Sequence, residues 1–240
     1  MLSTSDLSKN FSGFYAIRQV DFELEEGELH GLIGPNGAGK TTMFNLLTGE
    51  LSPTEGEIRF KDEDITGASP MEITRLGIGR SFQIVQNFPE MTVREHLRLA
   101  IRNEKKTLTS VFENAEKYDD EIRSIADRVT LSDRLDDEVQ NLSHGDKRFL
   151  EIGMVLGIDP ELILLDEPAA GLNQSETVVL RDILREIRSE YTILLVDHDI
   201  ELVRELSDRI TVLHQGEILS QGSPKEIDND EQIKEVYLGE

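Results

Sequence analysis

The stretch Gly34-Pro35-Asn36-Gly37-Ala38-Gly39-Lys40-Thr41-Thr42 constrains this chain more than any other. Its spacing, G-x-x-x-x-G-K-[ST], is that of a backbone loop that wraps phosphate groups. The preceding Leu29-His30-Gly31-Leu32-Ile33 reads as a buried strand, and Met43, Phe44, Leu46 and Leu47 fall at helical spacing up to Gly49. Strand, glycine-rich turn and helix together present backbone N–H groups and a helix N-terminus to an anion. Lys40 is placed to reach the β- and γ-phosphates of a nucleotide, and Thr41 to offer its hydroxyl to Mg²⁺. A nucleotide-binding α/β fold is the expectation.

The rest of the chain supports that fold class. Val20, Phe22 and Leu24 alternate, as do Ile58 and Phe60, and read as antiparallel β structure flanking the loop. Ser69-Pro70 opens a short helix through Leu76, and Gly77 to Gln83 reads as a brief strand ending in glutamine. From about residue 84 helical stripes take over: Thr92-Val93-Arg94-Glu95 forms a capping box before Leu97, and Ile122, Ile125, Ala126 and Val129 form a second stripe. The charged stretch 103–120 reads as a mobile or variable link. Strand–helix alternation returns with Leu162-Ile163-Leu164-Leu165 and Thr192-Ile193-Leu194-Leu195-Val196, apolar on both faces as central parallel strands should be. The expected division is a core from 1–83 and 162–240 with a helical insertion of about 84–161. No internal repeat is present, so one nucleotide-binding unit is expected.

Charge narrows the partners. Asp and Glu number 48 against 25 Lys and Arg, a formal net charge of −23, dispersed along the chain. Such a surface repels nucleic acid and anionic lipid. We expect adaptation to a high-salt interior that screens self-repulsion, so the melting temperature should be higher in molar KCl than in dilute buffer. The reverse order would overturn that expectation. The chain has no cysteine, which excludes disulfides and thiolate metal sites. No apolar run approaches membrane-helix length and the first residues lack a signal-peptide pattern, so a soluble cytoplasmic chain is expected.

Polar residues at strand ends supply the candidate chemistry. Asp166 directly follows a buried strand, where Mg²⁺ needs a carboxylate, and would serve it through water; Glu167 beside it is placed to polarise an attacking water as general base. His198, at the end of the next strand, is placed to touch the γ-phosphate, and the amide of Gln83 can touch both Mg²⁺ and water. Leu142-Ser143-His144-Gly145-Asp146, followed by a helix from Lys147 to Gly157, reads as a second anion site, with Ser143 as N-cap and Gly145 permitting close backbone approach. Two phosphate sites in one chain are resolved most simply by a head-to-tail dimer in which each subunit completes the other's site.

In order, the phosphate loop, Gln83, LSHGD at 142–146, LILLDEP at 162–168 and His198 resemble the motifs of ABC-type ATPases across essentially the whole chain. The resemblance implies a P-loop nucleotide-binding domain with a mainly parallel sheet, an antiparallel β subdomain and an inserted helical subdomain. It implies ATP and Mg²⁺ as cofactors, with residues 34–42 on the phosphates and Thr41, Gln83 and Asp166 at the metal. Phe11 would stack on adenine, with Phe14, Tyr15 and plain core packing as the competing readings. Ser143, His144, Gly145 and Asp146 would face the γ-phosphate held by a partner subunit. Two departures stand out: His144 and Asp146 replace the first glycine and the glutamine of LSGGQ, and Ala169-Ala170-Gly171-Leu172-Asn173 stands where SALD is usual.

GLIGPNGAGKTTMFNLLTG, GRSFQ, FPEMTVREHL, LLDEPAAGLN and the ending EVYLGE look like ATPases of branched-chain amino-acid importers; LSHG with LEIGM, and VLHQG, are similar to those of urea and short-chain amide importers. Either resemblance implies a second ATPase subunit, identical or different, two transmembrane permease subunits, an extracytoplasmic solute-binding protein acting indirectly, and a place on the inner face of the cell membrane. A soluble ABC ATPase that remodels nucleic acid or ribosomes is the alternative of another class. The single cassette, the lack of heptads and the negative charge weigh against it, and no Asn-Lys-x-Asp motif suggests guanine.

Overall fold

The computed structural model describes residues 1–81, 88–104 and 118–233. Strands β1 (Leu2–Phe11) and β2 (Phe14–Leu24) form an antiparallel hairpin, and β1 also pairs with β4 (Glu55–Phe60), which pairs with β5 (Glu63–Asp64). The hairpin turn places Ser12 and Gly13 at positive φ, the geometry whose twist matches paired strands. The expected alternation holds: Val20, Phe22, Leu24, Ile58 and Phe60 are buried on one face.

The second sheet has six strands in the order β10-β9-β3-β8-β7-β6. β3 (Leu29–Ile33), β6 (Ile78–Arg80), β7 (Leu162–Asp166), β8 (Thr192–Val196) and β9 (Arg209–His214) run parallel, and β10 (Glu217–Gly222) returns antiparallel. Every residue of β3 and β8 is buried, which suits strands covered on both faces. Helix α1 (Lys40–Leu47) lies between the sheets: Met43, Phe44, Leu46 and Leu47 join Phe22 and Phe60 of the first sheet and Leu164 and Leu194 of the second in one apolar cluster.

The opposite face of the large sheet carries most of the other helices, while Ile73 of the short helix Pro70–Arg75 joins the α1 cluster. Helices α3 (Val93–Glu104), α4 (Asp119–Arg128), α5 (His144–Leu156), α6 (Gln174–Ile187) and α7 (Ile200–Leu206) contribute to a second cluster that includes Ile163, Leu165, Ile193 and Leu195. The helical stretch therefore shares its apolar core with the sheet. Of the charged link expected at 103–120, residues 105–117 lie outside the described residues, as does Gln83.

Capping follows side-chain chemistry closely. Ser69 with Glu72 and Ser223 with Glu226 form reciprocal boxes at α2 (Pro70–Arg75) and α8 (Pro224–Asn229), and Thr92 with Glu95 does the same at α3. Asn173 and Glu176 add a box at α6. One boundary differs from the sequence reading. Helix α5 begins at His144, not Lys147, because Ser143 Oγ accepts from Asp146 N at 3.0 Å and so makes residues 144–146 the first turn.

Behind the phosphate loop, a polar chain ties three strands together. The buried His30 ring lies 2.9 Å from Glu28 and 2.7 Å from Thr211, which accepts from Gln221 at 2.9 Å. The β9–β10 turn also meets the loop: Gly216 N donates to Ala38 O at 2.9 Å, and Gly216 O accepts from Arg18 N at 2.8 Å.

Candidate nucleotide site

The loop leaves the C-terminal end of β3, with Gly34 and Ala38 buried and Asn36 and Gly37 exposed. Gly37 and Gly39 have φ of 79° and 109°, a region that side chains rarely enter. At Gly39 the restriction is doubled, since a Cβ would stand 2.6 Å from Ala16 O. Pro35 O accepts from Ala38 N at 3.1 Å and closes the turn. Lys40 Nζ folds back onto the same loop, donating to Gly34 O at 2.7 Å and Pro35 O at 3.2 Å. Thr41 is exposed and Thr42 half-buried at the start of α1.

Strand order decides what meets this loop. β8 pairs with both β3 and β7, so the ends of all three strands lie side by side. Asp166 ends β7, and Glu167 follows with φ of 47°, an unusual backbone state for a bulky residue that costs on the order of 1–3 kcal/mol. Its N–H donates to Val196 O at 2.7 Å, which holds the strained residue in place. After β8, Asp197 is fully buried and accepts from Ala169 N at 3.1 Å and Asp199 N at 2.9 Å. His198 Nδ1 lies 3.5 Å from Asp197 and 3.9 Å from Glu167. Lys40, Asp166, Glu167, Asp197 and His198 thus converge at one end of the sheet. Ser81, just before the undescribed segment containing Gln83, accepts from Asp166 N at 3.5 Å.

The electrostatics are those of a crowded acidic pocket with one buried cation. Burial pushes Asp166 up, and neighbouring Glu167 adds to the shift, against the opposing Arg80. Burial likewise raises Asp197, opposed by the N–H groups of Asp199 and Ala169. Burial lowers Lys40, while Glu167 and Asp166 pull it back up. A carboxyl raised above its unfolded value stabilises the fold fully at low pH and loses that contribution as pH rises through the folded value. Asp166→Asn should therefore raise the melting temperature of the nucleotide-free chain at pH 7, at roughly 2–4 °C per kcal/mol relieved. The advantage should shrink as the melt is repeated at falling pH; an Asn variant that melts lower at pH 7 contradicts this account.

Residues 143–146 lie elsewhere. Among the described residues no hydrogen bond joins them to 34–42. Their contacts are to the segment after β7: His144 Nε2 lies 3.3 Å from Ala170 O, and a Cβ on Gly145 would stand 2.5 Å from Glu176 Oε1. Further along α5, Arg148 donates to the buried Glu151 at 2.8 Å, and burial raises Glu151 despite that partner. His144, Arg148 and Glu151 share one helix face, and Arg148 opposes the upward shift of Asp166.

Phe11 is 45% exposed, which removes core packing as its use. The Lys9 amine lies 5.2 Å from its ring centroid, and Phe14 and Tyr15 are exposed beside it.

Comparison with known proteins agrees with this geometry. The family model for ABC transporters matches residues 17–170. The "high-affinity branched-chain amino acid transport ATP-binding protein LivG" of Salmonella typhimurium is 41% identical over 100% of this chain and 98% of its own length. Among solved structures, the ADP conformation of MJ1267, an ATP-binding cassette of an ABC transporter, superposes with a TM-score of 0.86 at 31% identity, covering 100% of this chain and 99% of that one. The ATP-binding cassette MJ0796, in a dimeric post-hydrolysis state bound to ADP and Pi, has a TM-score of 0.80 at 25% identity over 93% and 99%. A phosphate loop, strand-end carboxylates and an end-to-end match lead to one conclusion: the chain belongs to the ABC transporter family.

Proposed function

We propose that this chain is the ATP-binding and ATP-hydrolysing motor subunit of an importer for branched-chain or other hydrophobic amino acids. The convergence of Lys40, Asp166, Glu167 and His198 at one sheet end carries the ATPase reading. The solute class rests on the likeness to LivG.

In this reading residues Gly34 to Thr42 hold the phosphates, and the Lys40 amine exchanges its carbonyl partners for the β- and γ-phosphates. Phe11 stacks on adenine. Thr41, Gln83 and Asp166 would hold Mg²⁺, which when bound neutralises phosphate charge. The fit is favourable: burial and Glu167 disfavour charge on the Asp166 carboxyl more than Arg80 and Arg148 offset, a cost a cation would relieve, and Mg²⁺ commonly takes one or two carboxylates plus substrate phosphates. Glu167 takes a proton from the attacking water as its oxygen bonds the γ-phosphorus, and the bond to the β–γ bridging oxygen breaks to release ADP. His198 orients that water.

Ser143, His144, Gly145 and Asp146 face the nucleotide of a second ATPase subunit, so hydrolysis depends on dimer closure. Residues 1–83 and 162–240 form the catalytic core and about 84–161 the helical subdomain that meets two transmembrane permease subunits. An extracytoplasmic solute-binding protein acts through them. The chain itself sits on the inner face of the membrane, held there by the permease subunits; among the described residues no helix is long and apolar enough to cross a membrane. Nucleic acid is not a partner, and the formal charge of −23 suits a high-salt host. Purifying the tagged chain from native membranes in mild detergent should recover two polytopic membrane proteins, whose solute-binding partner binds leucine in preference to urea. Recovery of the chain alone, or with ribosomal proteins, overturns the proposal.

A further inference from the structure

The two places where the sequence departs from the usual family pattern, His144 and the segment 169–173, touch each other. The carbonyl of Ala170 can only accept, so the His144 Nε2 at 3.3 Å carries the proton and donates. Gly171 completes the fit. Its φ of 76° turns the chain beneath the imidazole, and a Cβ there would stand 2.8 Å from Nε2 and 3.2 Å from Cδ2. The next residue of the turn, Gly145, packs against Glu176, which itself closes the cap of α6 by accepting from Asn173 N at 2.9 Å. The segment is anchored at its other end as well: Ala169 N donates to Asp197 at 3.1 Å, and Ala170 N to Glu167 O at 3.0 Å. An unbroken path of contacts therefore runs from the carboxylate end of β7 and β8 to the first turn of α5.

We propose that His144 is a positioning residue that fastens residues 143–146 to the segment following Glu167. The turn that faces the partner's nucleotide then moves with the loop that leaves this chain's own general base. The inference rests on the reading above, in which 143–146 complete a site across a dimer. Its consequence is that dimer formation, rather than nucleotide capture by one subunit, depends on the contact.

The test uses the full chain in a Glu167→Gln background, which retains ATP. Nucleotide binding is followed by titration of a fluorescent ATP analogue, and ATP-driven dimerisation by analytical ultracentrifugation. His144→Leu removes the donor, His144→Gln keeps an amide N–H at similar reach, and Gly171→Ala disturbs the contact from the other side. Because residues 143–146 face the partner's nucleotide, binding is titrated at protein concentrations below dimerisation, where affinity should stay within about twofold in all three. The ATP concentration for half-dimerisation should rise roughly tenfold in His144→Leu and in Gly171→Ala, and His144→Gln should restore it to within about threefold. The double variant His144→Leu/Gly171→Ala should be no worse than the weaker single, because both break one contact. Unchanged dimerisation in His144→Leu, a glutamine variant as defective as the leucine one, or multiplicative effects in the double variant would each overturn the positioning role alone. Failure of the Glu167→Gln background itself to dimerise with ATP would overturn that role together with the cross-subunit reading of 143–146.

Discussion

Replacing Glu167 with glutamine is expected to slow ATP turnover about 100- to 10,000-fold while leaving nucleotide binding intact, the range that loss of a general base usually produces. Glutamine keeps the size and polarity of the side chain and the backbone state at φ of 47°, so the substitution removes proton acceptance with little else. Relief of charge beside the raised Asp166 should even favour the nucleotide-bound state. The paired measurement is steady-state phosphate release and sedimentation with ATP: the variant should be nearly silent in the first and dimeric in the second. Turnover within about fivefold of the parent would remove Glu167 as the base and turn attention to His198, 3.9 Å away.

Lys40→Ala should weaken ATP binding by about 100-fold or more. The amine is buried among backbone carbonyls and lies in the field of Glu167 and Asp166, so it is the main positive charge offsetting an acidic pocket. Charged hydrogen bonds contribute about 1.5–3 kcal/mol each, and two phosphate contacts at that strength correspond to two or more decades in affinity. Removing the amine releases two loop carbonyls, Gly34 O and Pro35 O, at the mouth of the site where water can replace it, so the fold should survive. Circular dichroism and a nucleotide titration separate the two effects. Affinity within about threefold of the parent would mean that backbone N–H groups alone hold the phosphates.

The phosphate loop and the strands behind it are legible in the sequence because their signals are local: glycine spacing, a lysine, and apolar runs of the right length. The same holds for Asp166 and Glu167, which follow such a run. Asp197 is not legible, since nothing local distinguishes it from Asp199; only burial separates the acid that anchors Ala169 from the one that caps α7 through Leu202 N at 3.0 Å. The start of α5 is misjudged for a physical reason. Gly145 is a poor helix residue, by about 1 kcal/mol, but the bond from Asp146 N to Ser143 outweighs it. The fit of His144 against Gly171 joins segments 26 or more residues apart and has no periodicity to reveal it. A polar stripe at 144, 148 and 151, the last of them inside the apolar second half of the helix, is the available signal that this face meets something polar.

A surface hairpin with a Gln-Gly tip is ordinarily the place to splice in a tag, a fluorophore or a whole guest domain, since such turns accept extra residues. The turn between β9 and β10 is an exception. Gly216 is held on one side by Ala38 O and on the other by Arg18 N, so lengthening the tip would pull directly on the phosphate loop. A reporter grafted there would sense occupancy of the loop through those two hydrogen bonds.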